Sequence, residues 1–305
     1  MLDPIPWLLD ARTPSIRYLT LRRLLGRPEQ DAEVQVVRQE MATRGPIPTI
    51  LSGQTPAGNW SGERGYYTPK YVSTHWSMLL LAELAADVAD PRLQRGAAFM
   101  LQATEAELHQ ALARGEQGMS CFWGNLLRYT LHSGQGGDPP LGAIVQYLAH
   151  DALAAGWRCP INDGLACAWG AARGVWGLAA LPASQRSQEV ETAIQSGVAF
   201  LLEAGRLAQG DYPTPGHIHS LWSRLNFPLF YQADILFVLR VLAEVGALAH
   251  PGAGAGLEWL AARRRPYGRW RGASPFRRRT WPELADREET DRWVTLHASI
   301  VLQSG

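Results

Sequence analysis

Apolar residues recur along the chain in two kinds of helical segment. Segments at about 15–26, 73–87, 121–132, 165–180, 229–246 and 291–303 carry apolar or small residues on almost every face, as in Ala166 to Leu181 or Ile235 to Leu242. A helix that is hydrophobic all round is packed all round, so these form an inner set. Between them lie segments with a clear polar side, at about 31–43, 91–103, 140–154, 188–204 and 254–264, which form an outer set. Asp90-Pro91, Asp138-Pro139-Pro140 and Pro251 stand near three outer starts, where a proline's missing N–H costs little. The alternation predicts helical hairpins; six inner helices against five outer ones leave one outer place, which the short Pro6 to Asp10 segment would fill.

Connections from inner to outer helices are short. Those returning to the inner helices are long, and residues 52–72, 207–228 and 265–290 are the longest. Long loops in compact domains are usually functional, so these are expected to overhang a rim formed by inner-helix N-termini and to cover a deep pocket. Five inner beginnings share a polar or aromatic signature: Ser73-Thr74-His75-Trp76, Cys121-Phe122-Trp123-Gly124, Cys167-Ala168-Trp169-Gly170, Phe230-Tyr231-Gln232-Ala233-Asp234 and Trp293-Val294-Thr295-Leu296-His297. Closure of the hairpins on themselves would bring these reactive residues to one place. A repeat fold of this kind holds 305 residues around one core, so residues 1–305 are read as a single domain of about six hairpins.

Composition narrows the function classes. With 46% hydrophobic residues and a formal charge of +1, the chain offers no broad attraction to nucleic acid. Met1-Leu2-Asp3-Pro4-Ile5-Pro6-Trp7 lacks the basic start and apolar run of a signal peptide, and no stretch approaches a membrane span, so the expectation is a soluble, cytoplasmic protein. Its oligomeric state is not legible. Three cysteines are too few for a disulfide scaffold and leave free thiols or a metal site.

Gln54-Thr55-Pro56-Ala57-Gly58-Asn59-Trp60 fits Gln-x-x-x-Gly-x-Trp, and Arg264 to Trp270 fits all but its leading Gln; Gly210-Asp211-Tyr212 and Gly156-Trp157 are worn copies. Glycine permits the tight turn and the aromatic ring staples it to the adjoining helix pair. The motif resembles the tryptophan-containing repeat of squalene-hopene cyclases and of protein prenyltransferase beta subunits. Pro14 to Thr20, Pro69-Lys70-Tyr71, Cys121 to Leu127, Cys167 to Gly170 and Phe227 to Tyr231 extend the likeness to a prenyltransferase- or squalene-cyclase-like bacterial branch of that superfamily. The resemblance implies an all-α fold, an (α/α)6 toroid, with cyclase-like or prenyl-transfer chemistry. It does not fix the reaction, because this fold hosts many. The Asp-x-Asp-Asp acid of the cyclases is absent, so cyclisation started directly by that motif is not expected.

Cys121 and Cys167 open successive inner helices, which pack about 8 to 10 Å apart, and Cys159 precedes Cys167 by eight residues. Three thiolates suit zinc, with His217 or His219 as a further ligand and His75 and His297 behind them. The bland reading is that each cysteine is a small buried hydrophobe. Lys70 is the sole lysine and stands before an inner helix, placed to hold a phosphate or carboxylate; Arg17, Arg224 and Arg292 add positive charge near the same rim. Trp76, Trp123, Asn125, Trp169, Tyr231 and Trp293 are expected to line the cavity, where aromatic faces suit an apolar or cationic ligand. The arginine runs 263–265 and 277–279 are read as solvated.

Three functions compete, with a sugar-acting toroid as a weaker fourth because no close carboxylate pair is apparent. The first is a zinc-assisted enzyme acting on a small hydrophobic or isoprenoid-like ligand with a polar or anionic head, with Lys70 and Tyr231 at the reacting end. The second is a metal-free cyclase or isomerase using Asp234 as acid and His75 or His297 as base. The third is a non-catalytic binder of a hydrophobic ligand.

Overall fold

The structure, a computed structural model, describes residues 3–62, 65–137, 139–203, 207 and 219–305. It is helical, and among the described residues extended pairing is limited to isolated bridges at Arg158 with Ala166 and Asn226 with Ala273. No helix among the described residues is long and apolar enough to cross a membrane.

The N-terminal part holds α1 (Ile5–Leu9), α2 (Pro14–Leu19) running into a π-helical turn (Thr20–Leu24), α3 (Ala32–Thr43) and α4 (Pro46–Ser52). Next come α5 (Thr74–Glu83), α6 (Pro91–Arg114), α7 (Ser120–His132), α8 (Pro139–Ala155), α9 (Ala168–Leu178) and α10 (Gln188–Leu202). The C-terminal part holds α11 (Ile235–Glu244), α12 (Gly254–Ala262) and α13 (Arg287–Ser304). Among the described residues six α-helix starts carry a side-chain cap. Asp31 accepts from the Glu33 N–H at 2.9 Å, Asp90 from Arg92 at 2.8 Å and Asp286 from Glu289 at 3.0 Å, each satisfying a donor that a helix start leaves open.

The inner set is apolar all round because it is enclosed all round: all eleven residues of α9 are buried, as are Thr74 to Leu81 of α5. In chain order α5 packs on α7, α7 on α9, α9 on α11, α11 on α13, and α13 returns to α2 and its π turn. The outer helices α3, α6, α8, α10 and α12 lie against these, and one continuous apolar core runs from Leu8 to Val301. The chain ends meet through charge. The Glu289 carboxylate accepts from the Thr13 N–H at 2.8 Å, and Arg292 donates to the Asp10 carbonyl at 2.8 Å.

Two Gly-x-Trp turns are built alike. The Trp60 indole donates to the Ile50 carbonyl at 2.5 Å and the Trp270 indole to the Leu260 carbonyl at 2.8 Å, each ten residues upstream. Each tryptophan's backbone N–H meets a threonine of the following inner helix, Thr74 at 3.1 Å and Thr295 at 3.0 Å. The ring thus joins the end of one helix to the start of the next, as its repeat predicts.

Three expectations are corrected. The segment at 91–103 continues to Arg114, because Gln102 to Arg114 are nearly all good helix formers and the helix stops only at Gly115, whose φ of 62° is left-handed. Helix α4, which no expected segment covered, lies between the 31–43 segment and the start of the long 52–72 connection. The segment read as 229–246 becomes helical only at Ile235, since residues 229–234 turn their carbonyls inward to buried side chains.

Helices α7 and α9 approach most closely, at Gly124 and Gly177. A β-carbon on Gly124 would fall inside contact distance of the Arg173 backbone, and one on Gly177 would overlap Gly124. Gly124→Ala is therefore expected to lower the unfolding free energy by about 2 to 3 kcal/mol through overpacking, measured by denaturant titration. An unchanged midpoint would show that the two backbones are free to separate.

Candidate functional site

The N-terminal ends of the inner helices are partly filled, and the start of α7 borders a cavity of about 410 Å³ together with Tyr66, Tyr67 and Trp123. Rings from the returning loops fill much of the remaining space: Tyr71 lies 4.5 Å from both Phe230 and Phe276, centroid to centroid, and Trp76 lies 5.7 Å from Phe230. The predicted cavity-lining aromatics belong mostly to this packing. Trp76 donates its indole N–H to the Tyr67 carbonyl at 2.9 Å, Trp293 stacks on Phe227 at 4.3 Å, and Trp169 meets His219 edge-on at 4.9 Å and Tyr231 at 5.9 Å. Trp123 lies between Phe122 and Tyr147.

His75 is fully buried, stacks on Phe122 at 4.6 Å and shares a 3.2 Å contact with the Tyr129 hydroxyl through Nδ1. Burial, aided by the Arg173 charge, drives its pKa down to about 3, so it is a neutral packing group. Lys70 is exposed and lies over the rings of Tyr67 at 5.7 Å and Tyr231 at 5.1 Å. Arg17 is tied to Glu40 at 2.6 Å, Arg292 to Glu288 and Glu289 at 3.0 Å each, and Arg224 is exposed. These three arginines therefore do not gather at one anion site.

The cysteines do come together in part. Antiparallel pairing of Arg158 with Ala166 folds residues 157–167 into a tight turn, which brings the Cys159 and Cys167 thiols into hydrogen-bonding contact. Cys167 S–H donation, with the N–H groups of Ile161, Met119 and Asn162, draws the Cys159 pKa down to about 6, and the same contact pushes Cys167 up. Cys121 feels both sulfurs, while desolvation raises it to about 12. Among the described residues no three His, Cys, Asp or Glu side chains gather closely enough to hold a metal ion. His217 lies outside the described residues, and His219 accepts from the Leu221 N–H at 3.1 Å.

A larger open space lies at the other end. A cavity of about 660 Å³ is bordered by the C-terminal parts of α5, α7, α9 and α11, with α2, its π turn and α13 completing the wall. Its charged residues are Arg22, Arg23, Glu83, Arg128, Arg240 and Glu244. Glu83, Arg240 and His297 also border a deeper pocket about one water in size, whose far wall holds Asn226 and Asp234. Helix α11 links the two levels, with Asp234 at its cap and Glu244 ten residues on, about 15 Å at 1.5 Å per residue.

Asp234 is 1% exposed and accepts from the Phe237 N–H at 2.7 Å and from the Asn226 N–H and side-chain amide at 2.8 and 2.9 Å. Desolvation outweighs these donors and lifts its pKa from 3.8 to about 6. His297, almost fully buried and near the Arg240 charge, is held well below its ordinary value and stays neutral. Arg240 pairs with Glu83 at 3.0 Å; Arg173 reaches the same carboxylate at 3.8 Å. Asn125 donates to the Phe230 carbonyl at 3.1 Å, which makes it a brace for the inward loop.

Sequence reasoning singled out Asp234 and His297 but not Glu83, Arg128, Arg173, Arg240 and Glu244. Their signal was present: each is a charge on an otherwise apolar inner helix, as in Leu79-Leu80-Leu81-Ala82-Glu83 and Phe237-Val238-Leu239-Arg240. No known family, curated protein or solved structure matches this chain.

The raised Asp234 pKa has a definite sign. A carboxyl that holds its proton more tightly when folded favours the native state below its unfolded pKa, and that contribution is lost as pH rises through about 6. Asp234→Asn, compared with the parent protein, is expected to gain about 2 to 3 kcal/mol of relative stability between pH 4 and pH 7, read from unfolding at each pH. A difference independent of pH would mean that the carboxyl is ionised throughout.

Proposed function

We propose that the hairpins close into an (α/α)6 toroid and that its axial cavity is the active site of a metal-free acid–base enzyme, an isomerase of a small polar substrate with an anionic end. One observation carries this reading: a single cavity touched by all six inner helices has His297, Arg240 and Glu83 at its floor, shared with the pocket that holds Asp234. A volume of about 660 Å³ is that of a small-molecule site. Four arginines against two glutamates leave the lining positive, which suits a carboxylate or phosphate end better than an isoprenoid tail.

The chemistry follows from the protonation states. Glu83, the carboxylate paired with Arg240, takes a proton from the carbon beside a substrate carbonyl, and the electron pair moves to the carbonyl oxygen, to which the neutral His297 donates. Arg240 supports the negative charge that develops there. The Glu83 carboxyl then returns its proton at the neighbouring carbon, which completes an isomerisation with no net change in charge. Asp234, titrating near 6, sets the charge beneath His297 and adds a pH dependence on the acid side.

The reading is tested by incubating the protein with a panel of small 2-oxo and 2-hydroxy carboxylates in heavy water and following deuterium uptake by mass spectrometry. Exchange beside the carbonyl of at least one member is expected, falling by about 100-fold or more in His297→Asn with the helical circular dichroism unchanged. Binding without exchange would leave a carrier of polar ligands in place of an enzyme. Absence of both would remove the axial cavity from consideration.

A further inference from the structure

A second cavity, of about 410 Å³, lies outside the axial site, between the residue 65–68 loop, the end of α6 and the start of α7. Its principal walls are Tyr66, Tyr67, Phe122, Trp123 and Tyr147. The rings do not lie parallel. Phe122 meets Trp123 at 4.9 Å and 79°, Trp123 meets Tyr147 at 5.5 Å and 52°, and Tyr66 meets Phe122 at 5.9 Å and 37°.

The box is also fixed and negatively biased. The Tyr147 hydroxyl donates to the Gly118 carbonyl at 2.9 Å, and the same loop is held by the Gly118 N–H on Asp151 at 2.7 Å. The Tyr66 hydroxyl donates to Glu107 at 2.7 Å, which pins that ring and sets a carboxylate at the lip. Glu116 is a second lip carboxylate, shared with Arg114 at 3.2 Å. Among the described lining residues there is no arginine, lysine or histidine, in contrast to the arginine-rich axial mouth. The chain itself shows the preference of these rings: its single lysine lies over Tyr67.

We propose that this cavity is a binding site for an organic cation, a quaternary or alkylated ammonium group held among the ring faces with Glu107 at its entrance. Aromatic faces attract a cation through their quadrupole, most strongly where water is excluded, and need no partner that a quaternary ammonium lacks. The lip carboxylates add long-range attraction that falls with salt. The site is independent of the axial cavity, so its ligand is either a separate effector or a second substrate.

The test uses choline and its uncharged isostere 3,3-dimethylbutan-1-ol, titrated calorimetrically into the full chain. Choline is expected to bind at least tenfold more tightly than the isostere. Tyr66→Leu should weaken choline by about tenfold, and Glu107→Gln by a smaller factor that vanishes at high salt. Lys70→Met, which removes a competing cation, should tighten choline severalfold, an effect that general loss of structure does not produce. Equal affinity for the two probes would reduce the site to an apolar hollow, and no heat from choline at tens of millimolar would overturn the proposal. Tighter binding of benzoate than of choline would reverse the inferred charge.

Discussion

The interior depends on one buried guanidinium. Arg173 has no solvent exposure, yet it donates through Nε and Nη2 to the Gln232 carbonyl at 3.1 and 2.8 Å, through Nη1 to Asn125 at 3.4 Å, and lies 3.8 Å from both the Glu83 carboxylate and the Phe237 ring centroid. Burying such an ion costs several kcal/mol unless its donors are met. Meeting them fixes α5, α7, α9 and the entrance to α11 around one point. Burial draws the Arg173 pKa down to about 9, which still leaves it charged at neutral pH. The inward course of residues 229–234 follows from this demand, since a helix there would have consumed the Gln232 carbonyl that Arg173 requires.

Arginines elsewhere on the inner helices need a more divided reading. Arg128 donates to the Trp176 carbonyl at 3.2 Å as well as to Glu244, and Arg22 donates to the Arg27 carbonyl. Cations near helix C-termini satisfy open carbonyls and the negative end of the helix dipole, so part of the positive mouth is structural. His297 differs from them. Its imidazole, kept neutral by burial, borders both the cavity and the deeper pocket, and it caps no helix end.

Much of the helical alternation was legible because burial on all faces leaves a mark on every residue, as in α9, while outer helices keep a polar side. The Gly-x-Trp turns were legible for a similar reason: a turn and a staple need particular residues at fixed spacing. Helix α11 was misread at its start because Phe230, Tyr231 and Ala233 suit a helix locally, and only the distant Arg173 and Asn125 decide otherwise. The cysteines' spacing shows that they are near one another but not what lies between them. Glu83 and Arg240 were overlooked because each looked like an interruption of an apolar run, although their separation of 157 positions closes to a 3.0 Å ion pair.

Loop length accounts for much of the difference between the two ends. Long returning connections carry Tyr67, Tyr71, Phe230 and Phe276, and their rings fill much of the space at the inner-helix N-termini, leaving the smaller cavity beside the start of α7. Each ring removed from water stabilises the closure by about 2 kcal/mol, which favours filling over enclosing empty space. The connections after Glu83, Leu178 and Glu244 are short and bring few side chains that reach inward, so the opposite end stays open. An open end must remain hydrated, and charges on the last turns of apolar helices keep it so. The same residues that keep water in the mouth are therefore the ones available to a polar ligand.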